Sequence, residues 1–143
     1  ALSNYAKERG EDIVSICAKI EEELISLSDK EAKEYLSELG IESSGLEKII
    51  KISFDTLGLM SYFTAGVKEV RAWTIHKDTL APKAAAAIHN DFEKGFIKAE
   101  VVAYNDFVEC ESEAKAKELG KLRIEGKEYI VQDGDIMHFK FNV

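Results

Sequence analysis

The apolar residues of this chain change their spacing near Gly58 to Ser61, so the two sides of that point demand different kinds of structure. Upstream they recur three and four residues apart, the spacing of a helix that buries one face. Downstream they alternate or run in short blocks, with helical stretches between them. Charge divides at the same place. Residues 1–59 carry seven Lys+Arg against thirteen Asp+Glu, a net of −6; residues 60–143 carry twelve against fourteen, a net of −2. The pattern predicts two units, 1–59 and 60–143, within a length of 143 residues that suits one ordinary domain or two small ones.

In the first unit, Asn4 to Arg9 reads as the last turns of a helix stopped by Gly10. The run Asp12-Ile13-Val14-Ser15-Ile16-Cys17 suits a strand buried on both faces. Such a strand needs neighbours, and alone it is expected to fray, to repack on nearby helices or to pair with a second copy of the chain. Glu21 to Leu27 follows as one or two helical turns. Ser28-Asp29-Lys30-Glu31 and Ser44-Gly45-Leu46-Glu47 have the form of capping boxes, each opening a helix. The first helix presents Ala32, Tyr35, Leu36 and Leu39 and stops at Gly40; the second presents Leu46, Ile49, Ile50, Phe54, Leu57 and Leu59.

The second unit begins with Tyr62 and Phe63 and continues with an alternating strand, Val70 to Ile75. A helix with Pro82 in its first turn runs through Ala84 to Ile88 and Phe92 as far as Gly95. Ile97 to Tyr104 reads as a strand, Ser112 to Leu119 as a short helix closed by Gly120. Short strands at Lys121–Ile124, Glu128–Val131 and Ile136–Val143 complete the unit, with a tight turn at Asp133-Gly134. The class is α+β.

Several chemistries are excluded by what the sequence lacks. There is no G-x-x-x-x-G-K-[ST] loop to cradle a triphosphate, no G-x-S-x-G, no H-E-x-x-H and no Cys/His cluster. Cys17 and Cys110 are far apart and read as two free thiols of a reducing compartment, which places the protein in the cytoplasm. No run approaches the roughly 18 apolar residues of a membrane span, and Ala1 to Gly10 has no signal-peptide character. The chain starts without Met, as expected of a piece of something longer. A net charge of −8 argues against a generally nucleic-acid-binding surface, because phosphate needs concentrated Lys and Arg. The densest basic stretch is Lys68, Arg71, Lys77, Lys83, Lys94 and Lys98. It reads either as an RNA- or ribosome-contacting edge or as a solvated surface balanced by Glu69, Asp78, Asp91 and Glu93.

The only Trp, Trp73, either anchors a small core or stacks on a base beside Arg71. The three histidines, His76, His89 and His138, show no converging partner. His89 reads as a partly buried packing residue near a helix C-terminus, and His138 alternates with Met137 and Phe139 in the last strand. No catalytic group and no metal set emerges.

The segment Tyr62-Phe63-Thr64-Ala65-Gly66-Val67-Lys68-Glu69-Val70-Arg71-Ala72-Trp73-Thr74 closely resembles the entry into the TGS domain of YchF-type (Obg-like) P-loop NTPases. Ala81 to Ala85, Ile88 to Ile97, Ala99-Glu100-Val101, Tyr129 to Asp135 and Phe139 to Asn142 continue the resemblance in order. It implies a β-grasp (ubiquitin-like) TGS domain over 60–143, preceded by a mainly helical remnant of a P-loop G domain. Ile16 to Glu21 resembles the last nucleotide-contacting loop of that G domain, which would put the Ala18 amide against a purine with Cys17 and Lys19 flanking it. The resemblance further implies a parent protein that binds and hydrolyses ATP or GTP with Mg²⁺ and associates with ribosome, RNA or protein. The P-loop, the Mg²⁺-binding elements and the base-specificity motif of the family are not among these residues, so no nucleotide is expected to bind this piece alone. Two other readings stand beside it: a self-sufficient β-grasp module that binds RNA or protein without hydrolysis, and the TGS part of a synthetase or SpoT-type enzyme, which residues 1–59 do not fit.

Overall fold

A computed structural model describes residues 2–66 and 69–142. They form two compact units that divide between Thr56 and Leu57.

The first unit is helical: α1 (Leu2–Arg9), α2 (Ala18–Ile25), α3 (Asp29–Glu38) and α4 (Gly45–Thr56). Both capping boxes form. The Glu31 carboxylate accepts from the Ser28 backbone N–H at 2.9 Å and the Ser28 hydroxyl at 2.6 Å. Glu47 accepts from the Ser44 amide at 3.1 Å while the Ser44 Oγ accepts from the Glu47 amide at 3.1 Å. Each box satisfies donors that a helix start leaves orphaned. At the far end of α3 the Gly40 amide bonds Ser37 O and the Ile41 amide bonds Leu36 O, at 3.0 and 2.9 Å, a Schellman closure. It requires Gly40 at φ +68, a conformation that costs a residue with a Cβ.

The run Asp12–Cys17 does not form a strand, in line with the expectation that alone it frays or repacks: residues 11–17 have no regular structure. No strand occurs among the described residues of this unit, so the run has no ladder to join. Ile13 and Ile16 are about half exposed. Ile16 instead lies against the start of α4, where a Cβ added at Gly45 would meet its Cγ2 at 2.9 Å. The apolar stripe of α4 also ends earlier than its spacing suggests, at Thr56, and Leu59 belongs to the following strand.

The second unit contains β1 (Leu59–Ala65), β2 (Val70–His76), α5 (Ala81–Ile88), α6 (Asn90–Lys94), β3 (Phe96–Val102), α7 (Tyr104–Cys110), α8 (Glu113–Glu118), β4 (Arg123–Glu125) and β5 (Ile136–Phe141). The sheet order is β2-β1-β5-β3-β4, with β1 and β5 parallel and every other pair antiparallel. A first hairpin, a crossing helix and a last strand parallel to the first make a β-grasp.

Because side chains alternate along a strand, the sheet has two distinct faces. Met60, Tyr62, Ile75, Ala99, Val101, Met137 and Phe139 pack under Ala81, Ala84 and Ala85 of α5. Alanines let that helix approach closely. Tyr62 has no exposed surface; its hydroxyl donates to Ala84 O at 2.8 Å and its ring meets Phe139 edge-on at 5.8 Å. Burying a side chain of that size contributes about 1.5–3 kcal/mol. On the other face Val102, Cys110 and Ala116 form a second cluster with Phe107 and Leu122. Cys110 is therefore buried and Cys17 exposed, both as free thiols.

Four details depart from the sequence reading. The first strand, Leu59–Ala65, was hidden by its continuity with the helical stripe of α4. The helix begun at Ala81 breaks at His89, whose backbone is extended (φ −160, ψ 139) and whose Nδ1 accepts from the Asp91 amide, so His89 caps α6 and is exposed. Tyr104, expected to end the strand, instead opens a helix, Tyr104–Cys110, in a stretch given no element by the sequence pattern. Glu128–Val131 contributes only an isolated bridge, Ile130 with Leu80.

Candidate functional site

Cys17, Ala18 and Lys19 lie at the start of α2, with Cys17 as the N-cap in extended conformation and no side-chain cap bond. The first helical bond runs from the Glu21 amide to Cys17 O at 3.1 Å, so the amides of residues 18–20 precede the ladder and point outward. All three residues are exposed. Glu21 ties this loop to α4: its carboxylate accepts from the Gly45 amide at 2.7 Å and the Leu46 amide at 3.4 Å. The Tyr35 hydroxyl donates to Glu23 of the same helix, and that bond holds the phenol above its ordinary pKa. The loop is thus anchored by distant residues, while its own three side chains stay free to meet solvent.

In the second unit the basic residues do not converge. Lys68 lies outside the described residues. Lys83 and Lys94 belong to the helical layer, where Lys83 pairs with Glu93 at 2.7 Å and Lys94 with Asp91 at 3.7 Å. Lys98 sits on the opposite side of the sheet, directly across from Lys140 of β5. Lys77 occupies the turn after β2 and donates its amide to Gly58 O. Arg71 is different. It is exposed on the edge strand β2, and its guanidinium lies 4.2 Å from the centroid of the Trp73 ring. The Trp73 indole is half-buried against the core and donates Nε1–H to Thr64 Oγ1 at 2.9 Å. The anchoring role of Trp73 and its proximity to Arg71 therefore coexist.

Beside that stack opens a groove of about 470 Å³. Thr64 and Ala65 of β1, Trp73 of β2, Ile88 and Phe92 of the helical layer, Phe141 of β5 and Glu69 line it. Phe92 and Phe141 stack at 3.8 Å, 23° from parallel, which makes one wall a rigid aromatic plate. Apart from Glu69, these lining residues come from three strands and two helices, so spacing alone does not announce the groove.

Two further clusters escaped the sequence reading. Asp135 is 2% exposed, and its carboxylate accepts from the Gln132 amide (2.9 Å), the Tyr129 hydroxyl (2.7 Å) and Arg123 Nη2 (3.2 Å). Burial, reinforced by the bond to Asp135, pushes the Tyr129 phenol up to about 12. This network fixes the turn that leads into β5. Glu100, Glu113 and His138 bring one ligand atom each within 4.8 Å of one another. The Lys140 ammonium already stands there, 3.3 Å from Glu100 and 3.4 Å from His138 Nε2.

The family model YchF-GTPase_C, described as a protein of unknown function (DUF933), matches residues 59–142. This chain belongs to the YchF GTPase C-terminal family. Beyond that family region the likeness extends along nearly the whole chain. The ribosome-binding ATPase YchF of Pasteurella multocida is 59% identical over 142 residues, 99% of this chain and 39% of that protein. The Bacillus subtilis protein of the same name is 53% identical over the same shares. The structure of the Schizosaccharomyces pombe YchF GTPase superposes with a TM-score of 0.83 at 38% identity, covering 97% of this chain and 37% of that one. The chain therefore spans about two fifths of the length of its YchF relatives.

Proposed function

We propose that the chain is the C-terminal portion of a YchF-type nucleoside triphosphatase that works on the ribosome, and that this portion binds without catalysing. The observation that carries the reading is the 59% identity, over 99% of the chain, to a protein named for ribosome binding and ATP hydrolysis. In such a parent, ATP or GTP with Mg²⁺ would be held by residues outside this chain. Cys17, Ala18 and Lys19 would supply its base-side fringe, where outward amides and small residues allow close approach to a purine. Residues 60–143 act as the TGS module and residues 1–59 as the end of the G domain, in a cytoplasmic protein.

Local ion pairs bear on which cations would carry the proposed ribosome contact. Lys83 and Lys94 are already neutralised by Glu93 and Asp91, and Lys98 faces away from them. Arg71 has a ring for a neighbour and no carboxylate among the described residues. Neutralising Arg71 alone is therefore expected to weaken co-sedimentation with ribosomes nearly as much as neutralising Arg71, Lys83 and Lys94 together. Unchanged co-sedimentation of the triple variant would remove this surface from the interaction.

A further inference from the structure

We propose that the groove beside Trp73 is a pocket for a base of single-stranded RNA, with Arg71 holding the adjoining phosphate. The proposal rests on the ribosomal reading above and names the contact through which the second unit would make it.

A space of about 470 Å³ accommodates one nucleotide, and small-ligand sites occupy this range. Its walls are the half-buried Trp73, the Phe92–Phe141 stack and Ile88. Aromatic surface held this rigidly suits a flat π-system, and every base offers one, so the pocket would discriminate weakly among sequences. Glu69, which also lines the groove, can accept from the amino group of a base, and the Thr64 hydroxyl, which accepts from Trp73, keeps its proton to donate. An apolar peptide side chain could fill the volume equally well, and charge decides between the two. The cation beside the groove is Arg71, exposed, stacked on the lining residue Trp73 at 4.2 Å and without a carboxylate partner among the described residues. Such a guanidinium is available to a phosphate oxygen in a way that the ion-paired Lys83 and Lys94 are not. An apolar peptide would leave that charge unanswered.

Trp73 is the only Trp of the chain, so its emission reports directly on the groove. The experiment titrates the full 143-residue chain with oligoadenylate, oligouridylate, inorganic tripolyphosphate and a Trp-free apolar peptide, following Trp73 fluorescence. Both oligonucleotides are expected to quench it saturably, and tripolyphosphate to leave it unchanged. Arg71→Ala and Phe92→Leu should each weaken the oligonucleotide response about tenfold, the range of one lost base stack or phosphate contact. Unchanged circular dichroism of Arg71→Ala keeps folding out of the comparison, and Phe92→Leu retains apolar volume at the wall.

Absence of quenching by either oligonucleotide overturns the proposal. So does equal quenching by tripolyphosphate, which would mean simple charge attraction, and so does a response to the peptide alone, which would assign the groove to a protein. Ribosome co-sedimentation separates this proposal from the one beneath it. Wild-type chain that pellets with ribosomes while Trp73 ignores RNA leaves ribosome binding standing and removes the pocket. Wild-type chain that stays in the supernatant removes the ribosomal reading itself.

Discussion

Gly95 shows how a single residue can be dictated by contact and not by conformation. Its φ of −88 is open to any residue, yet an added Cβ would lie 2.1 Å from the carbonyl oxygen of Asn142. The Asn142 amide donates to Gly95 O at 2.9 Å, so the end of β5 is clamped against the turn between α6 and β3. Gly95→Ala must push the two backbones apart. It is expected to cost about 1–3 kcal/mol, read as a lower urea midpoint with unchanged slope. Asp135 is a second such residue. Asp135→Ala would strand the Tyr129 hydroxyl and the Gln132 amide without their acceptor, at a cost of about 1–3 kcal/mol. Tyr129 and Tyr62 also set a pH limit. Both phenols are raised above the ordinary value of 10, Tyr129 to about 12, chiefly because burial disfavours the phenolate. A group whose pKa is higher in the folded state contributes its full stability below pH 10 and loses it as pH rises beyond. The protein should therefore keep its circular dichroism to about pH 10 and lose stability progressively through pH 12, with Tyr129→Phe flattening part of that decline.

At the scale of elements, the helix starts are the features most open to test. The Glu21 carboxylate on the Gly45 and Leu46 amides acts as an N-terminal cap delivered from another helix. Glu21→Ala should cost about 0.5–2 kcal/mol and speed hydrogen exchange at the first turn of α4. No spacing rule reveals that cap, because its partners are 24 and 25 residues apart. Local devices were readable: Ser28–Glu31, Ser44–Glu47 and Pro82 in the first turn of α5 carry their geometry in a few consecutive residues. The alternation Met137–His138–Phe139 likewise placed two buried residues around an exposed one. What failed depended on neighbours. Asp12–Cys17 has strand-like apolar content and no strand to pair with, and Leu59 continues a helical stripe while belonging to β1. The site was legible only in part for the same reason. Arg71 and Trp73 share a strand face two residues apart, which alternation shows, whereas the groove needs Phe92 and Phe141 brought in from α6 and β5. The basic stretch looked like one patch in sequence and is dispersed by strand direction and by local ion pairs.

For the molecule as a whole, two compact units of different class share one chain, and nearly all of it aligns with proteins about two and a half times longer. The first unit buries little: Ala6, Leu36 and Gly45 among its described residues, while Ile13, Ile25, Leu46 and Ile50 remain exposed. The second has a continuous core beneath α5 and a groove at its edge. Binding without catalysis is the role proposed above for this chain. The most direct test sediments the purified chain with ribosomes and, on the same preparation, measures ATP hydrolysis. The chain is expected to pellet with ribosomes in the absence of nucleotide and to release no phosphate above the buffer rate. A chain that stays in the supernatant, or one that turns over ATP by itself, would contradict it.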